Sequence, residues 1–268
     1  MLNHYGYTKS WSMNAQSKVS LEQKLDVITK GLSWKGSVSF DASAYSVIKR
    51  EKSPNSFYAT GRDETGNLIK TEVKQGTALG NPTYSSSGGE KKIYIETSLN
   101  YKRLFQEKHD VSGILLYMQK ESQNQNVTGI QLLPYRKQSV VARAAYGYDN
   151  RYMLTTTLRS DGSSRFGKNT KWGTFPSVSL GWRISQEKFM QDVKQISDLK
   201  LRASFGISGN NRIGNYSAIG LLSTGFYPTG DAVQNTVNPS TMANNDLGWE
   251  RTRQYNLGFE LGLFNNRI

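Results

Sequence analysis

From residue 254 to residue 264 the chain alternates without a break: Tyr255, Leu257, Phe259, Leu261 and Leu263 are apolar, while Gln254, Asn256, Gly258, Glu260 and Gly262 are polar or glycine. Successive side chains of an extended strand point to opposite faces, so a period of two gathers every apolar group on one face, whereas a helix would scatter them around its axis. The same template recurs upstream. Leu199, Leu201, Ala203, Phe205 and Ile207 alternate with Lys200, Arg202, Ser204, Gly206 and Ser208, and Val178, Leu180, Trp182 and Ile184 alternate with Ser179, Gly181, Arg183 and Ser185. Leu32, Trp34, Val38, Phe40, Ala42 and Ala44 share a face, as do Val19, Leu21, Leu25 and Val27, and again Ile93, Ile95, Leu99 and Tyr101. Weaker stretches at residues 110–121, 140–148 and 152–159 bring the series to about nine strands. Several run to roughly 10–14 residues, against about 5–6 in soluble sheets.

The links between strands alternate in length. Short ones fall at Thr29-Lys30, at residues 106–109 and at Asp149-Asn150, a hairpin-turn dipeptide. A link at residues 186–198 has room for a short helix. Long polar stretches rich in Gly, Asn, Ser and Thr occupy residues 48–90, 122–138, 161–171 and 209–249. Short and long links in alternation put all long loops at one end of an antiparallel sheet, the arrangement of outer-membrane barrels with short periplasmic turns and long extracellular loops. No stretch approaches the roughly 18 apolar residues of a membrane helix. A mean hydropathy of −0.59 does not argue against a spanning barrel, because alternation dilutes the signal.

Two architectures share this pattern: a transmembrane barrel segment and a soluble or surface-attached β-sandwich that binds glycans. Strand length and the segregation of loops favour the barrel, as do aromatic residues near strand ends, with Tyr146, Tyr148 and Tyr152 around one turn and Trp172 and Phe175 at the opposite end. A passive porin or adhesin barrel is a further alternative. The formal net charge is +13, from 34 Lys and Arg against 21 Asp and Glu. The basic residues are scattered and no nucleic-acid motif is present, so solvated faces and loops explain them better than nucleic-acid binding. There is no cysteine, which excludes disulfides, thiolate metal sites and a cysteine nucleophile. The N-terminal residues do not read as a signal peptide.

Residues 148–189, YDNRYMLTTTLRSDGSSRFGKNTKWGTFPSVSLGWRISQEKF, resemble the most recognisable stretch of the SusC/RagA family of TonB-linked transporters. In that family a strand ends in a DGSSRFG-like loop, followed by a GxFPSxSxGW strand and a helix-like periplasmic turn. Residues 199–217, LKLRASFGISGNNRIGNYS, and 244–264, NNDLGWERTRQYNLGFELGLF, resemble the strands that follow. The resemblance covers residues 135–268, with three motifs in order, while residues 1–134 share only the barrel pattern. It implies an outer-membrane transporter with a barrel of about twenty-two strands around a plug, a SusD-like surface lipoprotein as lid, and energy delivered through TonB. Its cargo would be oligosaccharides, peptides or similar nutrients. The chain is then expected to be a partial barrel domain, all-β and antiparallel, lacking plug and C-terminal strands and unable to transport by itself.

The expected sites follow from these strands. Arg143, Arg159, Arg183, Lys200, Arg202 and Glu260 lie on the polar faces and are expected to point into the lumen, towards plug or substrate. Asp161, Gly162, Ser163, Ser164, Arg165, Phe166 and Gly167 form the motif loop. A cation site is one account of it. The favoured account is structural: glycine turns, Asp161 and the serines capping backbone groups, and Arg165 paired to a carboxylate. Loop aromatics Phe57, Tyr58, Tyr84, Phe226 and Tyr227 are suited to stacking on sugars or packing against a lid, or to packing on one another. The two histidines, His4 and His109, join no nucleophile, so no catalytic residue, metal ligand or cofactor is expected.

Overall fold

The computed structural model describes residues 5–190, 192–230, 232–264 and 267, with the backbone alone at 85 and 86. Its strands are β1 (Gly6–Lys24), β2 (Leu32–Glu51), β3 (Ser56–Arg62), β4 (Leu68–Lys74), β5 (Thr83–Phe105), β6 (His109–Gln125), β7 (Tyr135–Tyr148), β8 (Tyr152–Ser163), β9 (Trp172–Arg183), β10 (Ile196–Asn210), β11 (Leu221–Thr229), β12 (Ala232–Thr241) and β13 (Glu250–Leu263). Nine of them form one sheet in the order β1-β2-β5-β6-β7-β8-β9-β10-β13, and β3–β4 and β11–β12 are separate hairpins. The two hairpins occupy what the alternation pattern marks as polar loops. The link after β9 holds two short 3₁₀ turns, at Ile184–Gln186 and Lys188–Met190.

The sheet is antiparallel wherever its register is resolved. Its strands run from 12 residues in β8 to 23 in β5, beyond the roughly 9–11 that cross a bilayer at a tilt. Two of the short turns, Gln106-Glu107 (φ 48° and 56°) and Asp149-Asn150 (φ 50° and 54°), hold both central residues in the left-handed region. That conformation matches the twist of the flanking strands and gives the tightest hairpin link.

The chain divides into two compact units, residues 1–16, 41–91 and 124–132 in one and 17–40, 92–123 and 133–268 in the other. The first contains the hairpin β3–β4, whose tip is tied by Asp63. Its Oδ1 accepts the Thr65 hydroxyl at 2.7 Å and the amides of Asn67 and Thr65 at 2.8 and 3.0 Å. These bonds, the Thr65 hydroxyl first, hold the Asp63 carboxyl below its ordinary range. The second unit contains a stretch of each sheet strand together with β11–β12.

Burial separates a barrel wall from a sandwich. A sandwich covers its apolar faces with a second sheet, yet among the described residues only Phe166, Phe175 and Ala218 are buried apolar side chains. Along β13 the apolar band stands bare, with Tyr255 at 75% and Leu257 at 86% exposure. Leu158, Leu180 and Leu154 on neighbouring strands are exposed as well. A continuous bare band of this kind suits a face turned to lipid rather than to water.

Candidate functional site

Register shows which side chains share a face. Leu154 pairs with Leu180, Leu180 with Ala203, and Ala203 with Leu257, so the apolar members form one row across four strands. On the other face Arg143 pairs with Thr157, two residues from Arg159, and Lys200 pairs with both Arg183 and Glu260. With Arg202 two residues from Lys200, all six expected residues fall on the single face opposite the apolar row.

Five of the six are ion-paired there. Arg202 Nε lies 3.1 Å from Glu260 Oε1, and Lys200 Nζ lies 3.7 Å from Glu260 Oε2. Arg183 Nε lies 3.4 Å from Asp198 Oδ1, which also accepts the Ser185 hydroxyl at 2.9 Å. Arg159 Nε donates to both Asp161 oxygens, at 2.9 and 2.8 Å. The first three pairs, partly exposed, contribute about 0–1 kcal/mol each, so their main effect is to set side-chain direction; in the fourth the Asp161 carboxylate is buried. Arg143 makes no ion pair among the described residues.

The motif loop is a staple at the long-link end of β8. Asp161 is 5% exposed; besides Arg159 it accepts the hydroxyl of Ser139, which is fully buried. Gly162 lies beside Trp172. The Ser163 hydroxyl accepts from the Arg165 amide at 3.3 Å and from Asn211 Nδ2 at 3.1 Å, and Ser164 exchanges bonds with the Arg136 backbone. Phe166 packs on Trp249 at 5.3 Å between ring centroids, and Trp249 meets Phe175 edge-on at 5.3 Å. At Gly209 a Cβ would sit 2.1 Å from the Phe175 ring, so only glycine allows that approach. The Gly167 carbonyl accepts the Thr170 amide at 3.2 Å, and the Thr170 hydroxyl donates to the Leu247 carbonyl at 2.7 Å.

Two expectations need correction. Among the described residues Arg165 is paired to no carboxylate. It donates to Asn215 Oδ1 at 3.1 Å and the Asn211 carbonyl at 2.8 Å, and stacks over Tyr135 at 4.6 Å. The loop that folds over it offers neutral acceptors. Phe175 is not part of an outer girdle. It pairs with Arg159 and so falls on the polar face, where it is 6% exposed; Trp172, at the other parity, remains exposed.

At the short-turn end Tyr148 and Tyr152 stack at 6.4 Å, His109 Nδ1 bonds the Tyr146 hydroxyl at 2.8 Å, and Arg151 lies about 6.0 Å from the Tyr152 ring. Glu187, which sequence reasoning did not single out, joins them. It accepts the Tyr152 hydroxyl at 2.5 Å, Trp182 Nε1 at 3.0 Å and Arg151 Nη1 at 3.3 Å. The Tyr152 and Trp182 bonds, then Arg151, hold its carboxyl below the usual range. His4 lies outside the described residues. Phe57, Tyr58, Tyr84, Phe226 and Tyr227 are all exposed, and no two of their rings meet among the described residues. Nor do the described residues contain a His, Asp and Glu cluster able to hold a metal.

Comparison with known proteins places this geometry. The family model for the TonB dependent receptor-like β-barrel matches residues 2–268. TonB-dependent receptor P39 of Formosa agariphila is 38% identical over 201 residues, which cover 65% of this chain and 19% of that protein. TonB-dependent receptor SusC of Bacteroides thetaiotaomicron is 44% identical over 135 residues, covering 48% and 13%. The solved structure of the RagAB peptide transporter superposes with a TM-score of 0.64 at 27% identity, over 98% of this chain and 29% of its own. The chain thus spans about a fifth or less of the length of these curated relatives. An antiparallel sheet with one bare apolar face, matched along nearly its whole length, makes this chain a member of the TonB-dependent receptor-like β-barrel family.

Proposed function

We propose that this chain supplies wall strands and outer loops to a TonB-dependent outer-membrane transporter that imports oligosaccharides, peptides or similar nutrients with a SusD-like lipoprotein as lid. The observation that carries the reading is the opposition of the two faces: an uncovered apolar row on one side of β7–β13 and an ion-paired polar row on the other. A wall with lipid outside and an aqueous or plugged lumen inside requires that opposition. The polar row then lines the lumen, the short turns face the periplasm, and β3–β4 and β11–β12 belong to the outer loops. The relatives point the same way, being TonB-dependent receptors and a peptide transporter. The outer edges of β1 and β13 have no strand beside them in the nine-strand order. In hydrocarbon each unpaired backbone group costs several kcal/mol, so further strands complete the wall.

Cysteine scanning of the complete transporter in outer-membrane vesicles tests the faces, because this chain contributes no cysteine of its own. A water-soluble maleimide is expected to label Ser179→Cys and Asn256→Cys and to leave Leu180→Cys and Leu257→Cys unlabelled until detergent is added. The reverse pattern sinks the assignment. Transport is tested by uptake in cells with and without TonB: uptake that survives loss of TonB would replace the importer with a passive pore.

A further inference from the structure

Arg143 differs from the other five charged residues of the polar row, and its surroundings explain how. It borders a depression of about 370 Å³ that it shares with Lys102, Ser33, Asn100 and Ser112, and none of the lining residues is acidic. Ser112 pairs with Ala145 and Ile114 with Arg143, so the Ser112 and Arg143 side chains share the polar face. The Tyr94 hydroxyl reaches Met118 Sδ at 3.6 Å on that face, and alternation along β5 carries Lys102 to it. Gly31, at φ +88°, brings its backbone against Lys102: a Cβ there would sit 2.0 Å from the Lys102 carbonyl oxygen. Only glycine allows the turn to approach β5 so closely at this edge of the depression.

Among the described residues neither Arg143 nor Lys102 makes a side-chain hydrogen bond or ion pair, whereas Arg159, Arg183, Lys200 and Arg202 each have a carboxylate. Of the acids in this region, Asp26 accepts the Gly31 amide at 2.8 Å and Glu96 accepts the Tyr94 hydroxyl, while Asp110 pairs in register with Gly147, four residues along β7 from Arg143. Two cations that meet no carboxylate among the described residues, beside the Ser33 and Ser112 hydroxyls and an Asn100 amide that also donates to the Ser98 hydroxyl at 3.1 Å, form a site for an oxyanion. Guanidinium matches a carboxylate bidentately, and a cleft lined by one sign of charge concentrates the opposite ion.

We propose that this pocket binds a carboxylate carried by the imported nutrient, which makes the cargo acidic. The inference rests on the lumen-facing reading of the polar row. It is tested in the complete transporter with Ser112→Cys, measuring modification rates with an anionic and a cationic methanethiosulfonate. The anionic reagent is expected to react about tenfold or more faster. The ratio should fall towards unity in Arg143→Gln/Lys102→Gln and persist in Arg143→Lys, which keeps the charge. Trigalacturonate or triglutamate should slow the anionic reagent, while maltotriose and trialanine should not; whichever acid protects identifies saccharide or peptide as the source of the carboxylate. Equal rates in the parent, no protection by either acid, or a thiol inert to both reagents overturns the proposal. An inert Ser112 thiol together with a reactive one at Leu115→Cys, on the opposite face, would overturn the lumen reading itself.

Discussion

The end of the sheet that carries the motif loop and the strands below it bury their apolar groups in opposite ways. In the staple, Phe166 and Phe175 close around Trp249, and Ala218 is buried beside Gly167, in a loop whose polar groups are bonded one to another. In the strands, Leu180, Leu257 and Phe259 are bare, and the register pairs their backbones with neighbouring strands rather than their side chains with a core. Each region is built for a different solvent. A loop in water needs a small core of its own. A strand in hydrocarbon needs none, because the lipid supplies the apolar contact and backbone pairing becomes the dominant demand.

Val178→Arg is expected to have the largest effect. Val178 lies midway along β9 on the apolar face, where a cation should cost about 2–4 kcal/mol, while Ser179→Arg on the other face should be close to neutral. Urea titration of the transporter folded into vesicles measures both, and equal costs would remove the distinction between the faces. Trp249→Ala comes next, at about 2 kcal/mol, since the ring is only half-buried and full burial would make it about 3–5. Its effect should be confined to the loops, read as faster proteolytic nicking within residues 209–249 with strand protection unchanged. Gly209→Val should act in the same way by pushing Phe175 off Trp249.

Asp161→Asn should cost about 1–3 kcal/mol, because Arg159 and Ser139 lose a buried charged acceptor. The protease assay separates this from damage to the wall. The smallest effect concerns the short-turn end. Glu187 has a depressed pKa in the folded chain, so its contribution is present above the ordinary glutamate value of about 4.3 and is lost as pH falls below it. Fluorescence of the Trp182 environment should change reversibly in that acid window, and Glu187→Gln should flatten the change.

Much of this wall is legible from alternation, but not all of it. Parity along residues 172–183 already places Phe175 with Ser177 and Ser179 rather than with Val178 and Leu180, and only its aromatic character suggested a girdle. The hairpin β11–β12 carries Leu222, Phe226, Val233 and Val237 in an alternating pattern, yet Thr224, Asn235 and the prolines Pro228 and Pro239 dilute it to the level of a loop. Glu187 had no pattern to betray it, since its partners Tyr152 and Trp182 meet only when β8 pairs with β9.

Alternation along the chain suffices for the nine sheet strands, the residues that share a face and the short turns, because side-chain direction and turn conformation are local properties of the backbone. The pairing of neighbouring strands decided which charges are matched across them: Asp198 with Arg183, Glu260 with Arg202 and, among the described residues, no carboxylate with Arg143. Those outcomes depend on the register of neighbouring strands and on loops folding back across long stretches of chain. A one-dimensional pattern carries the direction of each side chain but not the identity of its neighbour.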